Sequence, residues 1–471
     1  MKILLTISGY LHGRFGLKPF GSFGLAFSNP GVMSGVKEEP LFARGFSLLL
    51  RLLRNPVLLT LLFLLLCTGN LYAQDESYLY QVNPYNFIRY DKNELHNFGN
   101  DKYSQQLFGK LEKLLRTGEG RINVVHIGGS HIQAGTFPGR LRNRFQQLNG
   151  DMDAGWGFMF PYRILRTNSP FGYYIRYSGG WQGCRNIERR KNDMLLGVGG
   201  VSATTNAPFT DLTILLEDEN ELDYSFNTVK VFCNYETSKY SVSVDSSLLK
   251  NTVNGDGFIE FELNTHVDSL RLLIQREAGS SEGFTLYGIT TEKAPNGFVY
   301  NSIGVNGAHV PAFLRCQLFE EQMAQLQPDL VILGLGINDA YGRRFSQNKF
   351  EDNYTGLISG IRRAAPNTAV ILTTNNDSYL YRRYVNKNGE KVEESMFKLA
   401  EKNDTGVWDT FAVMGGLNSV VLWERNHLAQ HDKIHFTREG YLLMGDLFFA
   451  AFMQNFEKYV RNENKVSQLT K

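Results

Sequence analysis

The spacing of apolar positions changes character along the chain, and the changes divide it. From Tyr103, Leu107, Leu111, Leu114 and Leu115 recur at helical spacing and stop at Gly118. Ile122 to Ile127 follows as a short apolar run that predicts a buried strand, and Phe137, Leu141, Phe145 and Leu148 then mark one stripe of a second helix. The alternation returns far downstream, with strands predicted at 330–335, 369–374 and 406–409 and helices around 350–364 and 393–401. Leu442, Leu443, Leu447, Phe448, Phe452 and Phe456 close the series as a last helix, with Thr437 as its N-cap. Strands alternating with helices predict an α/β domain built on a parallel, doubly wound sheet.

Helical periodicity is absent from 166–295. Alternating runs such as Val229, Val231, Cys233 and Tyr235, and then Phe258 to Leu263, are separated by turn sequences such as Asn254-Gly255-Asp256-Gly257. This predicts an all-β insertion, a small sandwich. The N-terminal pattern differs again: Arg51 and Arg54 precede the apolar run Val57 to Cys67, and small and polar residues follow to Ala73. That is the layout of a secretory signal peptide, with an apolar core too short to cross a bilayer, so no transmembrane span is expected in the mature chain. The leader ahead of it reads as a start placed too early, with Met33 one candidate for the true start, and Cys67 is a weaker candidate for a lipid anchor. The expected organisation is 1–73 as misassigned start plus signal peptide, 74–165 and 296–460 as a discontinuous α/β domain, 166–295 as the insertion, and 461–471 as a disordered tail.

Composition narrows the function classes. A 42% hydrophobic and 20% charged chain is globular, and a formal net charge of +2 gives no field that would favour nucleic acid, so no nucleic-acid partner is expected. The 13% aromatic content suits a β-rich portion or a surface that stacks on sugar rings. Past the signal peptide, Cys184, Cys233 and Cys316 are odd in number and lack metal-ligand spacing. Buried free thiols are expected rather than a disulfide framework, and neither metal nor cofactor is expected.

Four short blocks carry chemistry. His126-Ile-Gly-Gly-Ser130-His-Ile-Gln-Ala-Gly135 stands where a strand ends and a helix begins, which exposes the Ser130 hydroxyl and puts its amide at a helix start. Asn301-Ser-Ile-Gly-Val-Asn-Gly307-Ala308 and Leu333-Gly-Leu-Gly-Ile-Asn338-Asp339 each supply a glycine-containing loop with a donor. The Gly307 amide and the Asn338 side chain are suited to a developing oxyanion. His431-Asp432-Lys-Ile-His435-Phe-Thr precedes the last helix, and Asp-x-x-His lets a carboxylate fix the tautomer of a histidine base. Taken singly, the first three blocks are more often turns or caps, and the fourth could be a helix N-terminal acid beside a surface histidine. His131 and His431 are read as bystanders and Asp339 as a structural hydrogen-bonder.

Together and in this order the blocks resemble the SGNH (GDSL-like) hydrolase superfamily, over residues 120–165 and 298–455. The matching motifs are Gly128-Gly129-Ser130, Gly304 to Gly307, Gly336-Ile337-Asn338-Asp339 and Asp432 to His435. The resemblance implies a flavodoxin-like three-layer domain with Ser130 as nucleophile, His435 as general base and Asp432 as its orienter. It also implies an oxyanion hole of the Ser130 and Gly307 amides and Asn338. The acid that usually precedes the serine in that family is Gly129 here.

Ile132 to Thr136, Gly155 to Pro161 and Trp408 to Gly416 look like envelope-associated members from Gram-negative bacteria, and the position of the insertion is similar to that in peptidoglycan O-acetyl esterases. The expected protein is therefore a monomeric, exported serine esterase of the periplasm or envelope, acting on O-acyl (foremost O-acetyl) groups of an envelope or dietary glycan. A glycan O-acetyltransferase, a lipase-type esterase and a non-catalytic glycan-binding protein are the alternatives. Because all four blocks lie outside 166–295, the insertion is expected to select the polymer and not to take part in chemistry.

Overall fold

The computed structural model describes residues 85–469, apart from 151, 189–193, 217–222 and 281. The expected signal peptide lies outside the described residues, and no described helix is long and apolar enough to cross a membrane.

Seven strands form the central sheet: β1 (Leu95–His96), β2 (Arg121–Gly128), β3 (Asp153–Gly155), β4 (Gly297–Gly304), β5 (Leu330–Gly334), β6 (Ala369–Thr373) and β7 (Gly406–Trp408). Their order is β1-β7-β6-β5-β2-β4-β3, parallel throughout except for β1 on β7. β2 is central, paired with β5 on one side and β4 on the other, so its carboxyl end is flanked by two further strand ends. The apolar runs predict β2, β5, β6 and β7 but leave the glycine block as a loop; Asn301 to Gly304 is in fact the end of β4.

The principal helices are α1 (Lys102–Thr117), α2 (Ser130–Gln133), α3 (Thr136–Gln146), α4 (Gln347–Ala364), α5 (Asn388–Asn403) and α6 (Arg438–Leu469). Local signals set several of their ends. The Asp101 carboxylate accepts from the Tyr103 and Ser104 amides at the start of α1, and Gly118 closes it in the left-handed conformation. Thr437 Oγ1 accepts from the Gly440 amide at the start of α6, as expected of an N-cap. The tail set apart at 461–471 is helical as far as Leu469, for nothing in Arg461 to Leu469 is a glycine or proline that would stop α6.

The insertion is two antiparallel sheets. One carries Tyr240–Ser243, Ser269–Arg276, Phe209–Leu216 and Tyr173–Tyr177. The other runs Leu249–Gly255, Phe258–Val267, Phe226–Cys233, Phe284–Glu292, Val201–Thr205 and Gln182–Arg185, with Gly157–Met159 paired onto Phe284–Glu292. Leu212, Ile214, Leu272 and Ile274 of the first sheet pack with Val229, Val231, Phe261 and Leu286 of the second in one sandwich core. That core does not stop at the module. It continues through Phe158 into Val125 and Ile127 of β2, Val331 and Leu333 of β5, and Leu357 and Ile361 of α4. Cys184, Cys233 and Cys316 are free thiols, with Cys233 and Cys316 buried.

Candidate active site

At the carboxyl end of β2 the chain turns through Gly128 and Gly129 into α2, whose first residue is Ser130. The turn leaves no room for side chains: a Cβ on Gly304 of the adjacent β4 would lie 2.1 Å from the Gln133 amide nitrogen. Close approach of α2 to β4 therefore requires glycine at that position. Ser130 Oγ lies 2.7 Å from His435 Nε2, and His435 Nδ1 lies 2.7 Å from Asp432 Oδ2. The three residues singled out in the sequence, 305 positions apart between serine and histidine, are thus in hydrogen-bonding contact.

The local fold around the acid holds it in place. Asp432 Oδ1 accepts from the amides of Ile434 and His435 at 2.9 and 3.0 Å, so one carboxylate oxygen is committed to the turn and the other to the imidazole. Burial opposes ionisation of Asp432, but the hydrogen bonds from the His435 ring and from these amides outweigh it and hold the carboxyl below its usual range. An ionised Asp432 on Nδ1 leaves Nε2 as the acceptor that faces the serine hydroxyl.

The oxyanion-hole candidates converge on the same turn. Asn338, four residues past the end of β5, donates from Nδ2 to the Ala308 carbonyl at 2.9 Å, which leaves its second amide hydrogen uncommitted by that bond. Gly307 lies in the loop after β4 with φ of 81°, a left-handed conformation that favours glycine. A Cβ on Gly129 would stand 3.2 Å from Asn338 Nδ2 and 3.6 Å from the Ala308 carbonyl oxygen. Glycine at position 129 therefore sits where a side chain would press on the Asn338 amide.

The bystander residues also have defined places. His431 is exposed and bonds Glu424 at 2.9 Å, away from Ser130. His131 is half-buried with its Nε2 sealed from solvent, bonds Tyr441 Oη at 3.0 Å and packs against the His435 ring at 5.2 Å between centroids. Burial, with a smaller repulsion from His435, pushes its pKa down to about 3, so it stays a neutral wall beside the base. Asp339 accepts from the Val310 amide at 3.1 Å, and burial raises its carboxyl to about 6. No group of three or more metal-ligating side chains occurs among the described residues.

One element has no counterpart in the sequence motifs. Gln133, buried in α2, accepts at Oε1 from the Asn306 amide at 2.6 Å. Its Nε2 donates to Thr167 Oγ1 at 3.1 Å and to the Asn168 carbonyl at 2.8 Å. Asn306 Nδ2 donates to the Thr167 hydroxyl and the Asn168 side-chain oxygen at 2.9 and 2.7 Å. The network joins the nucleophile turn, the loop that bears Gly307 and the segment leading into the β module. The only sequence hint is a polar side chain one helical turn past the serine.

A mostly parallel sheet with a serine at the end of its central strand and an Asp-x-x-His loop before the last helix is the arrangement of the SGNH, GDSL-like fold. Residues 282–443 match the sequence model of the GDSL-like lipase/acylhydrolase family. The match begins just before Phe284–Glu292, the last module strand, and so excludes Ser130, which the insertion separates from the other blocks. Among solved structures, one described as "Peptidoglycan O-acetylesterase in action" aligns at a TM-score of 0.65 and 20% identity, over 77% of this chain and 99% of that one. Coverage of that extent takes in the β module as well as the α/β part. A GDSL-like lipase from Bacteroides thetaiotaomicron aligns over 33% of this chain and 76% of its own, at 21% identity and a TM-score of 0.27. An acetyl xylan esterase aligns over 33% of this chain and 81% of its own, at 20% identity and a TM-score of 0.27. No curated protein matches the sequence.

Proposed function

We propose that the chain is an exported serine esterase that removes O-acyl groups, foremost O-acetyl, from an envelope glycan such as peptidoglycan. The observation that carries this reading is the Ser130 Oγ–His435 Nε2 contact of 2.7 Å, with Asp432 2.7 Å from the other ring nitrogen. His435 takes the hydroxyl proton as Ser130 Oγ bonds to the ester carbonyl carbon, and the carbonyl oxygen gains the negative charge. The Ser130 and Gly307 amides and Asn338 Nδ2 stabilise that charge. Collapse expels the sugar oxygen, which receives the proton from His435, and leaves an acyl-Ser130 ester. Water, deprotonated by His435, then releases the acid and restores the serine.

Support for an acetylated glycan comes from three directions. The likeness to a peptidoglycan O-acetylesterase extends over the β module, the 46–73 segment has the layout of an export signal, and no long apolar lid segment accompanies the site among the described residues. A decayed, purely glycan-binding protein would have no need to keep the serine, imidazole and carboxylate in register.

The test is acetate release from O-acetylated peptidoglycan by the purified protein, beside the Ser130→Ala variant. The expected result is release by the wild type and a loss of roughly 10³-fold or more in the variant. Turnover by Ser130→Ala close to wild type overturns the assignment.

A further inference from the structure

Tyr381 and Tyr384, at 65% and 63% exposure, are the most exposed large apolar side chains among the described residues. Both lie on a hairpin whose strands, Tyr379–Leu380 and Tyr384–Val385, close over a short turn. Tyr381 and Arg382 hold left-handed φ angles of 53° and 62° in that turn, where glycine or asparagine is the usual occupant. Non-glycine residues in this region carry conformational strain that the surroundings must impose.

Those surroundings are the loops of the candidate site. The Tyr381 amide donates to Tyr341 Oη at 2.9 Å, and the two rings stand edge to face at 5.9 Å between centroids. Tyr341 is three residues past Asn338. At the hairpin's root, the Tyr379 amide donates to the Lys433 carbonyl at 3.0 Å, between Asp432 and His435. Asn388 Nδ2 donates to the carbonyls of Ala340 and Gly342 at 3.0 and 2.8 Å. The rings are thus fixed to the Asn338 loop and the Asp432–His435 loop at once.

Four arginines lie on the two segments that carry the rings, and the acidic residues nearest in sequence, Asp339, Glu351, Asp377 and Glu390, stand just outside them. Arg343, Arg344, Arg382 and Arg383 are exposed, and neither 340–350 nor 378–389 contains an acidic residue. Aromatic faces stack on the C–H faces of a pyranose, which present partial positive charge to the ring quadrupole. Guanidinium groups pair with carboxylates through two parallel hydrogen bonds.

We propose that Tyr341, Tyr381 and Tyr384, with Arg382 and Arg383, form a sugar-binding subsite beside the candidate triad that selects a carboxylate-bearing polysaccharide as the polymer carrying the acyl group. The inference rests on the esterase reading for the chemistry after binding, and binding itself is measurable without turnover. Two soluble probes isolate it: a peptidoglycan tetrasaccharide without O-acetyl groups, and chitotetraose, which shares the N-acetylglucosamine backbone but lacks the lactyl carboxylates.

The subsite requires that the wild type bind the peptidoglycan tetrasaccharide about tenfold more tightly than chitotetraose at low salt, with the preference shrinking as salt rises. Tyr381→Ala/Tyr384→Ala should weaken both probes by about tenfold, and Tyr381→Phe should restore most of the stacking. Arg382→Ser/Arg383→Ser should abolish the preference between the probes. These side chains are exposed, and circular dichroism reports whether each variant is folded. Unchanged binding in the folded double-tyrosine variant overturns the subsite, as does equal wild-type affinity for the two probes. Tighter retention on a single-stranded oligonucleotide than on either sugar overturns it too, in favour of a polyphosphate ligand. Binding as expected without acetate release from acetylated polymer leaves the subsite standing and removes the esterase reading.

Discussion

The α/β part and the β module contribute to the site in different ways. Every candidate reacting group comes from the α/β part: Ser130 from the end of β2, the Gly307 loop from the end of β4, Asn338 from beyond β5, and Asp432 and His435 from the loop before α6. The module supplies none of them, yet its edges brace the loops that do. Thr167 and Asn168, at its entrance, hold Asn306 and Gln133, and Ile187 Cδ1 would lie 3.5 Å from a Cβ on Gly307. A sheet end places functional groups because backbone pairing fixes where each strand stops. Loops beyond that end are free to drift, and here residues at the edge of the inserted domain tie down the Asn306–Gly307 loop.

This difference is broken most severely by excision. The placement of the four blocks outside 166–295 predicts that a chain bridged from Tyr162 to Asn296 retains activity on a small ester. The continuous core argues otherwise. Phe158 and Met159 are fully buried and pair with Ile289 and Thr290, and Val125 and Ile127 of β2 share the same cluster. Uncovering half a dozen such side chains, at about 1.5–3 kcal/mol each, removes about 10–20 kcal/mol, as much as a domain's whole stability. The bridged protein should be insoluble or lack a cooperative thermal transition by circular dichroism. A folded, active product would show that the module is dispensable and that the shared core is incidental.

The residues that meet at the candidate site are legible in the sequence and the brace is not. Ser130 and Asn338 come after apolar runs that predict strands, where the end of a parallel strand is itself informative, and Asp432 and His435 are marked by their Asp-x-x-His spacing before the last helix. β4 escapes because Asn301, Ser302 and Gly304 look like turn residues, although burial between β2 and β3 makes them a strand. Tertiary pairing decides that segment over local propensity. Gln133, Asn306, Thr167 and Asn168 form a network whose members lie up to 173 residues apart, and no periodicity or local motif connects them.

Within the α/β part, His435→Ala should lower kcat by about 10³-fold or more, while His431→Ala should stay within about twofold of wild type on nitrophenyl acetate. The second residue is the control, since its imidazole is exposed and bonds Glu424. The reverse outcome would mean that the base is the other histidine of the loop. Asn338→Ala comes next: loss of one oxyanion donor should cost roughly 10²- to 10³-fold in kcat with little change in KM. An effect confined to KM would make Asn338 a ground-state contact.

Gln133→Met gives the finest comparison, because Gln133 belongs to the joint between the two regions and touches neither substrate nor the Ser130 hydroxyl. The substitution nearly preserves volume, so packing is spared, but it leaves the half-buried Asn306 amide without its acceptor. An unserved donor costs at most about 1–3 kcal/mol, the figure for full burial, and the loop can reduce that by shifting. A shift of the Asn306–Gly307 peptide moves one oxyanion donor while the triad stays intact. We expect kcat on nitrophenyl acetate to fall by about tenfold, with KM unchanged, when rates are normalised to active sites titrated with a fluorophosphonate. Normalisation separates positioning from folding: a purely structural Gln133 would lower the titrated fraction and the melting temperature and leave kcat per site as it was. Full kcat per titrated site would mean that the module stabilises the fold without setting the geometry of the oxyanion loop, and the brace would be reduced to packing.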